Sequence, residues 1–223
     1  YFMESGAGLE VTALHHGEPQ KRSFPTSHEG HICQAGYEAI LEMNLEEGAK
    51  KIKKEVLLLA KAPPCPRKKT TAIIDGAQMA LQIHESCGHP AELDRVLGEE
   101  RSFAGTSFLT PEKMGSFRYG SNLVNIQANA PAKGGAGSFK YDDEGTPARK
   151  IFLVRNGIFS GYLSSRQTAQ EIGLESSGCM RASAWNMIPI IRMTNINLLP
   201  HQGRLEELIK DTKDGIFLST NKS

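Results

Sequence analysis

No stretch of this sequence approaches the ~20 consecutive apolar residues that a membrane-spanning helix needs. The longest apolar run, Val56 to Ala60, is a short core segment. An excess of either charge is also lacking: 26 lysines and arginines face 25 aspartates and glutamates, a formal net charge of +1. No surplus of cations is available to displace counterions from a phosphate backbone, so direct nucleic-acid binding is not expected. Cysteine is scarce. Cys33, Cys65, Cys87 and Cys179 are too scattered to make a disulfide framework or a CxxC zinc knuckle. No charged segment leads into an apolar stretch with a small-residue cleavage site. These absences predict a reduced, cytoplasmic protein with no membrane partner.

What is present is ordinary globular composition, with 39% hydrophobic and 23% charged residues, which excludes a disordered or collagen-like chain. The chain opens at Tyr1, already within strand-like alternation, and stops just after Ile216-Phe217-Leu218. The expectation is a fragment of a longer protein.

Local patterns divide the chain. Gly8 to Leu14 and Lys21 to Phe24 read as strands around a turn at Gly17-Glu18-Pro19. Asn44 with Glu47 predicts a capping box, followed by a helix with Leu45, Ala49, Ile52, Val56 and Leu59 on one face. Lys50, Lys51, Lys53 and Lys54 fall on the opposite face, and a solvated surface is favoured over a phosphate-binding one. Ala62-Pro63-Pro64-Cys65-Pro66 ends that helix. Thr70 to Ile74 reads as a strand, and Asp75 caps a helix that runs from Ala77 towards His84. Residues 101–140 read as loop or short strands. Asn156-Gly157 predicts a hairpin between Lys150–Val154 and Ile158–Leu163. Ser165 to Ile172 reads as a helix ended by Gly173, Pro189 to Leu199 as a strand, and Leu205 to Ile209 as a short helix. Strands and helices mix without a βαβ rhythm, so the predicted class is α+β.

One constellation carries chemistry: His84-Glu85-Ser86-Cys87-Gly88-His89. Metallopeptidases need imidazoles on a metal and a carboxylate beside the water it activates. The common HExxH spacing aligns its histidines at i and i+4. Here they stand at i and i+5, which a regular helix separates by about 140°. A turn closed by i→i+5 hydrogen bonds brings them back to within about 50°. The spacing therefore predicts a distorted turn between Glu85 and His89, with Gly88 supplying backbone freedom and Pro90 ending the run. The alternative is two unrelated histidines near a helix end with Glu85 simply exposed.

Other candidates carry less. His15-His16 and the pair His28 and His31 read as surface histidines, although the second pair has a spacing that can hold a metal. Cys87 reads as a small buried residue and Cys179 as structural. Asp142-Asp143-Glu144-Gly145 lacks the periodic ligands of a calcium loop and reads as a turn. Gly134-Gly135-Ala136-Gly137 has no Lys-Ser/Thr pair after it and is not a phosphate loop.

With these residues in view, the sequence resembles the TldD/PmbA family of peptidases, once described as modulators of DNA gyrase. The resemblance covers nearly the whole chain. It runs through Gly36-Tyr37-Glu38, His84 to His89, Asp142 to Pro147, Leu153 to Gly157 and Gly178 to Arg181, then Pro189-Ile190-Ile191-Arg192-Met193-Thr194-Asn195, similar to the family's Pro-x-x-Arg-Met-Thr-Asn. It implies two domains: 1–62 as the end of an N-terminal α+β domain, and 63–223 as the first part of a metallopeptidase domain. Retention of His84, Glu85 and His89 is a feature of the TldD-like branch, whereas the TldE/PmbA branch lacks the motif.

By that match His84 and His89 are zinc ligands and Glu85 is the general base that activates a zinc-bound water. The substrates implied are unfolded or short peptides. The assembly implied is a homodimer, or a heterodimer with a TldE/PmbA-like subunit. The family's third ligand, a downstream cysteine, has no counterpart among the four cysteines here and is expected beyond Ser223. A chain without it is expected to bind zinc weakly or not at all. The alternative function is a non-catalytic interaction subunit, an adaptor for a peptidase partner.

Overall fold

The computed structural model describes residues 2–28, 30–102 and 104–220. Short strands open the chain: β1 (Ser5–Ala7), β2 (Leu9–His15), β3 (Glu18–Phe24) and β4 (His31–Cys33). Helices α1 (Glu38–Glu42) and α2 (Leu45–Lys61) follow, then β5 (Thr71–Ile74) and α3 (Gly76–Ile83). After α3 come a wide helical turn at His84–Gly88, a tight one at His89–Ala91, and α4 (Leu93–Leu97). Beyond a long irregular stretch lie β6 (Ile126–Asn129), β7 (Lys150–Arg155), β8 (Ile158–Phe159) and α5 (Arg166–Glu171). The chain closes with β9 (Met180–Arg181), β10 (Ile190–Ile191), β11 (Ile196–Leu198), α6 (Leu205–Asp211) and β12 (Gly215–Leu218). Helices and small sheets are mixed, and the class is α+β, as the irregular alternation predicts. Among the described residues no helix is long and apolar enough to cross a membrane.

The chain divides into two compact units. One contains the residues up to Met79 together with those from Gly203 onward, and the other is Ala80–Gln202. In the first, α2 packs on the β2–β3 hairpin through Gly48, Ile52 and Val56, while Lys50, Lys51, Lys53 and Lys54 stay exposed. The amphipathic pattern is therefore realised, because burying one apolar stripe is what holds a surface helix in place. β5 pairs in parallel with β12.

Three local expectations need correction. The β2–β3 turn is His16-Gly17, both with positive φ, and Pro19 lies inside β3 opposite Leu14. Asn44 does precede α2, but in a left-handed conformation without a capping hydrogen bond from its side chain. It serves as the link between α1 and α2, its N–H bonded back to Leu41 O, and that geometry is incompatible with the extended backbone of a capping box. Residues 189–199 are not one strand. β10 pairs with β9 and β11 with β6, and Arg192–Asn195 crosses between these two sheets.

The second unit is built on the antiparallel sheet β11-β6-β7-β8. Asn156 and Gly157 both take positive φ between β7 and β8, the geometry an Asn-Gly hairpin turn requires. Leu153, Val154 and Phe159 of this sheet are fully buried, as are Leu93, Leu109 and Leu163. Ser165 caps α5 in a reciprocal pair with Thr168, and Gly173 leaves the helix with φ +72°. Asp142 is a buried turn carboxylate: it accepts from the N–H groups of Glu144 (3.0 Å), Thr146 (2.8 Å) and Met180 (3.1 Å). The glycine-rich stretch receives the Asn195 amide, whose Oδ1 accepts from Gly137 N at 3.0 Å.

Candidate functional site

α3 delivers the motif into the wide turn. Its ring is closed by His89 N–H donating to His84 O, five residues apart, as the spacing requires. The two imidazoles come to 4.6 Å between centroids, edge to face. One ligand atom each from His84, Glu85 and His89 lies within 4.8 Å of the others, and among the described residues no other group of three His, Cys, Asp or Glu side chains does this. His84 and Glu85 are half-exposed, at 51% and 60% of their side-chain surface, so the cluster opens to solvent. Glu85 Oε1 stands 3.9 Å from His84 Nε2.

The role expected of Gly88 changes. Its φ and ψ of −71° and −70° are right-handed helical values open to other residues, so backbone freedom is not what the position uses. A Cβ there would run into Met193 Sδ. Glycine lets Met193, in the segment crossing between the two sheets, pack directly against the turn, and any side chain there would displace the Met193 thioether. The turn is also held from outside: Tyr119 OH donates to Ser86 O at 3.1 Å, and Gln82 Nε2 to Ser86 Oγ at 2.8 Å. Burial pushes the Tyr119 phenol above its usual range, with the neighbouring Cys87 and Tyr162 adding to the shift, so it stays a donor.

Two charged residues outside the motif complete the surroundings of His89. Glu92 Oε2 lies 2.9 Å from His89 Nδ1, and the same oxygen accepts from Arg95 Nη2 at 3.1 Å. Glu92 keeps only 4% of its side-chain surface. Its neighbour Asp94 is pushed up to about 6, chiefly by burial, against one stabilising bond from Arg95 N–H and with Glu92, Glu100 and Glu99 raising it further.

The cysteines stand aside. Burial raises the Cys87 thiol to about 11, and Cys179, pushed up to about 12 by burial, bonds with Ser177 and Ser164 in the core. Neither joins the cluster among the described residues. His15 and His16 sit with rings 4.1 Å apart at the β2–β3 turn, and His31 begins β4. Glu92 was missed by motif reading, although a carboxylate three positions after a candidate ligand is a visible signal. Tyr119 had none, because its contact spans 33 residues, and Met193 stood in the family-like Arg-Met-Thr-Asn segment without any local sign that it meets Gly88, 105 residues away.

An α+β unit that brings two histidines and a glutamate together at a wide turn has a candidate metal centre. Comparison with known proteins places it further. The family description "PmbA/TldA metallopeptidase C-terminal domain" matches residues 67–221. A metalloprotease of Methanocaldococcus jannaschii is 39% identical over 187 residues, covering 84% of this chain and 39% of that protein. A metalloprotease TldD homolog of Buchnera aphidicola is 33% identical over 135 residues, covering 60% of this chain and 26% of that protein. A structure from Thermotoga maritima described as a putative modulator of a DNA gyrase superposes with a TM-score of 0.74 at 21% identity, covering 97% of this chain and 45% of that one. TldE from Thermococcus kodakarensis superposes at 0.71 with 17% identity over 97% of this chain and 45% of its own. The chain belongs to the PmbA/TldD family. It spans about two fifths of the first of these curated relatives.

Proposed function

We propose that this chain forms part of a zinc-dependent peptidase in which His84 and His89 hold the metal and Glu85 is the general base. The observation that carries the reading is the meeting of two imidazoles and a carboxylate within 4.8 Å on one wide, solvent-facing turn. It is supported by the names of relatives: several are metalloproteases, and one from Saccharolobus solfataricus is a zinc metalloprotease TldD homolog. The donor set fits the group. Imidazole nitrogen and carboxylate oxygen suit zinc, and His89 has the buried carboxylate partner that metal-bound histidines usually have.

When bound, zinc would polarise the scissile carbonyl and make water acidic enough to lose a proton near neutral pH. The protein's own groups do the rest. Glu85, half-exposed beside His84, takes the proton from the attacking water and returns it to the leaving amine. The anchored turn keeps the three groups at their separation. A third protein ligand would come from outside these residues. The substrates proposed are unfolded or short peptides, which expose backbone for strand-like binding at a sheet edge. The assembly proposed is a dimer, with itself or with a TldE/PmbA-like subunit, in the cytoplasm.

The test is cleavage of an unstructured peptide by the full-length protein. Cleavage that a chelator removes and zinc restores is the expected result. A protein with no metal-dependent cleavage of any such peptide would instead fit a non-catalytic adaptor subunit, and the peptidase reading would fall.

A further inference from the structure

Glu92 has no assigned part in the chemistry, yet its surroundings are specific. It sits at the foot of α4, where the backbone is fixed on both sides: Leu93 N–H donates to Leu163 O at 2.9 Å, and Leu163 N–H to Ala91 O at 2.9 Å. Ala91, Leu93 and Leu163 are fully buried. Glu92 N–H bonds to His89 O at 3.1 Å, so the carboxylate is tied to the tight turn that carries the histidine. Two groups converge on one oxygen, Oε2: the Arg95 guanidinium at 3.1 Å and His89 Nδ1 at 2.9 Å. The other oxygen, Oε1, is buried without a hydrogen-bond partner among the described residues, and so is Arg95 Nε.

We propose that Glu92 is a positioning residue for the metal site, accepting the Nδ1 hydrogen of His89 so that the ring's lone pair is confined to Nε2 for the ion. The inference rests on the reading that His84 and His89 hold a metal, and it goes one shell deeper.

The proton assignment follows from the donors. A guanidinium has no acceptor, so the oxygen it touches accepts from it. A carboxylate paired with a guanidinium is acceptor-only in its ionised form, so the ring nitrogen 2.9 Å from that oxygen acts as the donor. Arg95 Nη2 is also 3.4 Å from His89 Nδ1, a contact that is a hydrogen bond only in the opposite tautomer, and the two shorter contacts, at 2.9 and 3.1 Å, both run to Glu92 and favour Nδ1–H. The neutral imidazole therefore has its acceptor at Nε2. Such a carboxylate–histidine pair fixes ring orientation and raises ligand basicity. The unpaired Oε1 argues the same way. A buried carboxylate with one oxygen unused is a poor choice for stability alone, because well-packed apolar residues serve that purpose as well or better.

The first measurement needs neither metal nor variant. In the metal-free chain at a pH where the ring is neutral, 15N NMR of His89 is expected to show hydrogen on Nδ1. A ring carrying it mainly on Nε2 overturns the inference. Next, the Zn2+ affinity of the full-length protein is measured by competition with a chromophoric chelator. Glu92→Ala is expected to lower it by about 10–100-fold and to mix the His89 tautomers. Glu92→Gln keeps a carbonyl at the Oε2 position, so it should preserve the Nδ1–H form and recover part of the affinity. A folded Glu92→Ala chain with unchanged tautomer and unchanged affinity contradicts the inference. If Zn2+ binding does not depend on His84 and His89 at all, the metal reading has failed instead, and the tautomer measurement still decides what Glu92 does.

Discussion

Glu85→Gln in the full-length protein is expected to lower peptide cleavage by about 10²–10⁴-fold, the range that a positioned general base contributes, while metal content stays at the unsubstituted level. Glutamine matches glutamate in size and can still bond to a water, but it cannot take the water's proton. With 60% of its side chain exposed, Glu85 contributes little to the fold, and a change at such a site usually stays within about 0.5 kcal/mol. Activity and stability therefore separate cleanly in this variant. Full activity in the variant removes Glu85 from the general-base role. Loss of metal together with activity would make it a ligand instead.

Phe159→Ala is expected to cost about 3–5 kcal/mol of stability, the usual range for emptying a buried phenylalanine site. Phe159 is fully buried at the end of the β7–β8 hairpin, edge to face with Tyr162 at 4.9 Å and 6.5 Å from the Tyr119 ring. Its backbone is equally tied in, with N–H bonded to Phe117 O and its own carbonyl accepting from Gly115 N–H. Tyr119 is the residue that grips the wide turn at Ser86 O, so the cavity removes support from the metal site as well as from the core. Urea unfolding followed by circular dichroism measures the loss. A change below about 1 kcal/mol would mean that the aromatic cluster repacks and does not brace the turn.

How much of this was legible depended on the distance between partners along the chain. The hairpin at Asn156-Gly157, the stripe of α2 and the glycine that ends α5 were readable because each is decided within a few residues. The wide turn was readable too, since five residues at a known angle either bring two rings together or do not. Asn44 looked like a cap because its residue type suits one. The competing need to end α1 put it in the left-handed region. Residues 189–199 looked like one strand because β-branched residues flank Arg192–Asn195, and nothing local shows the crossing there between two sheets. Glu92 depends on Leu163, more than seventy residues on, to fix its backbone. Gly88 takes ordinary helical angles, and what presses on it is the Met193 side chain, 105 residues away.

The central claim is that His84 and His89 take hold of one ion from the same turn. Titrating the full-length protein with Zn2+ while following both imidazoles by NMR tests it most directly. The account predicts that the two rings respond together and saturate at one ion per chain, and that the remaining ring loses its response in His84→Ala and in His89→Ala. Rings that respond independently, or a response that survives either substitution, would contradict it.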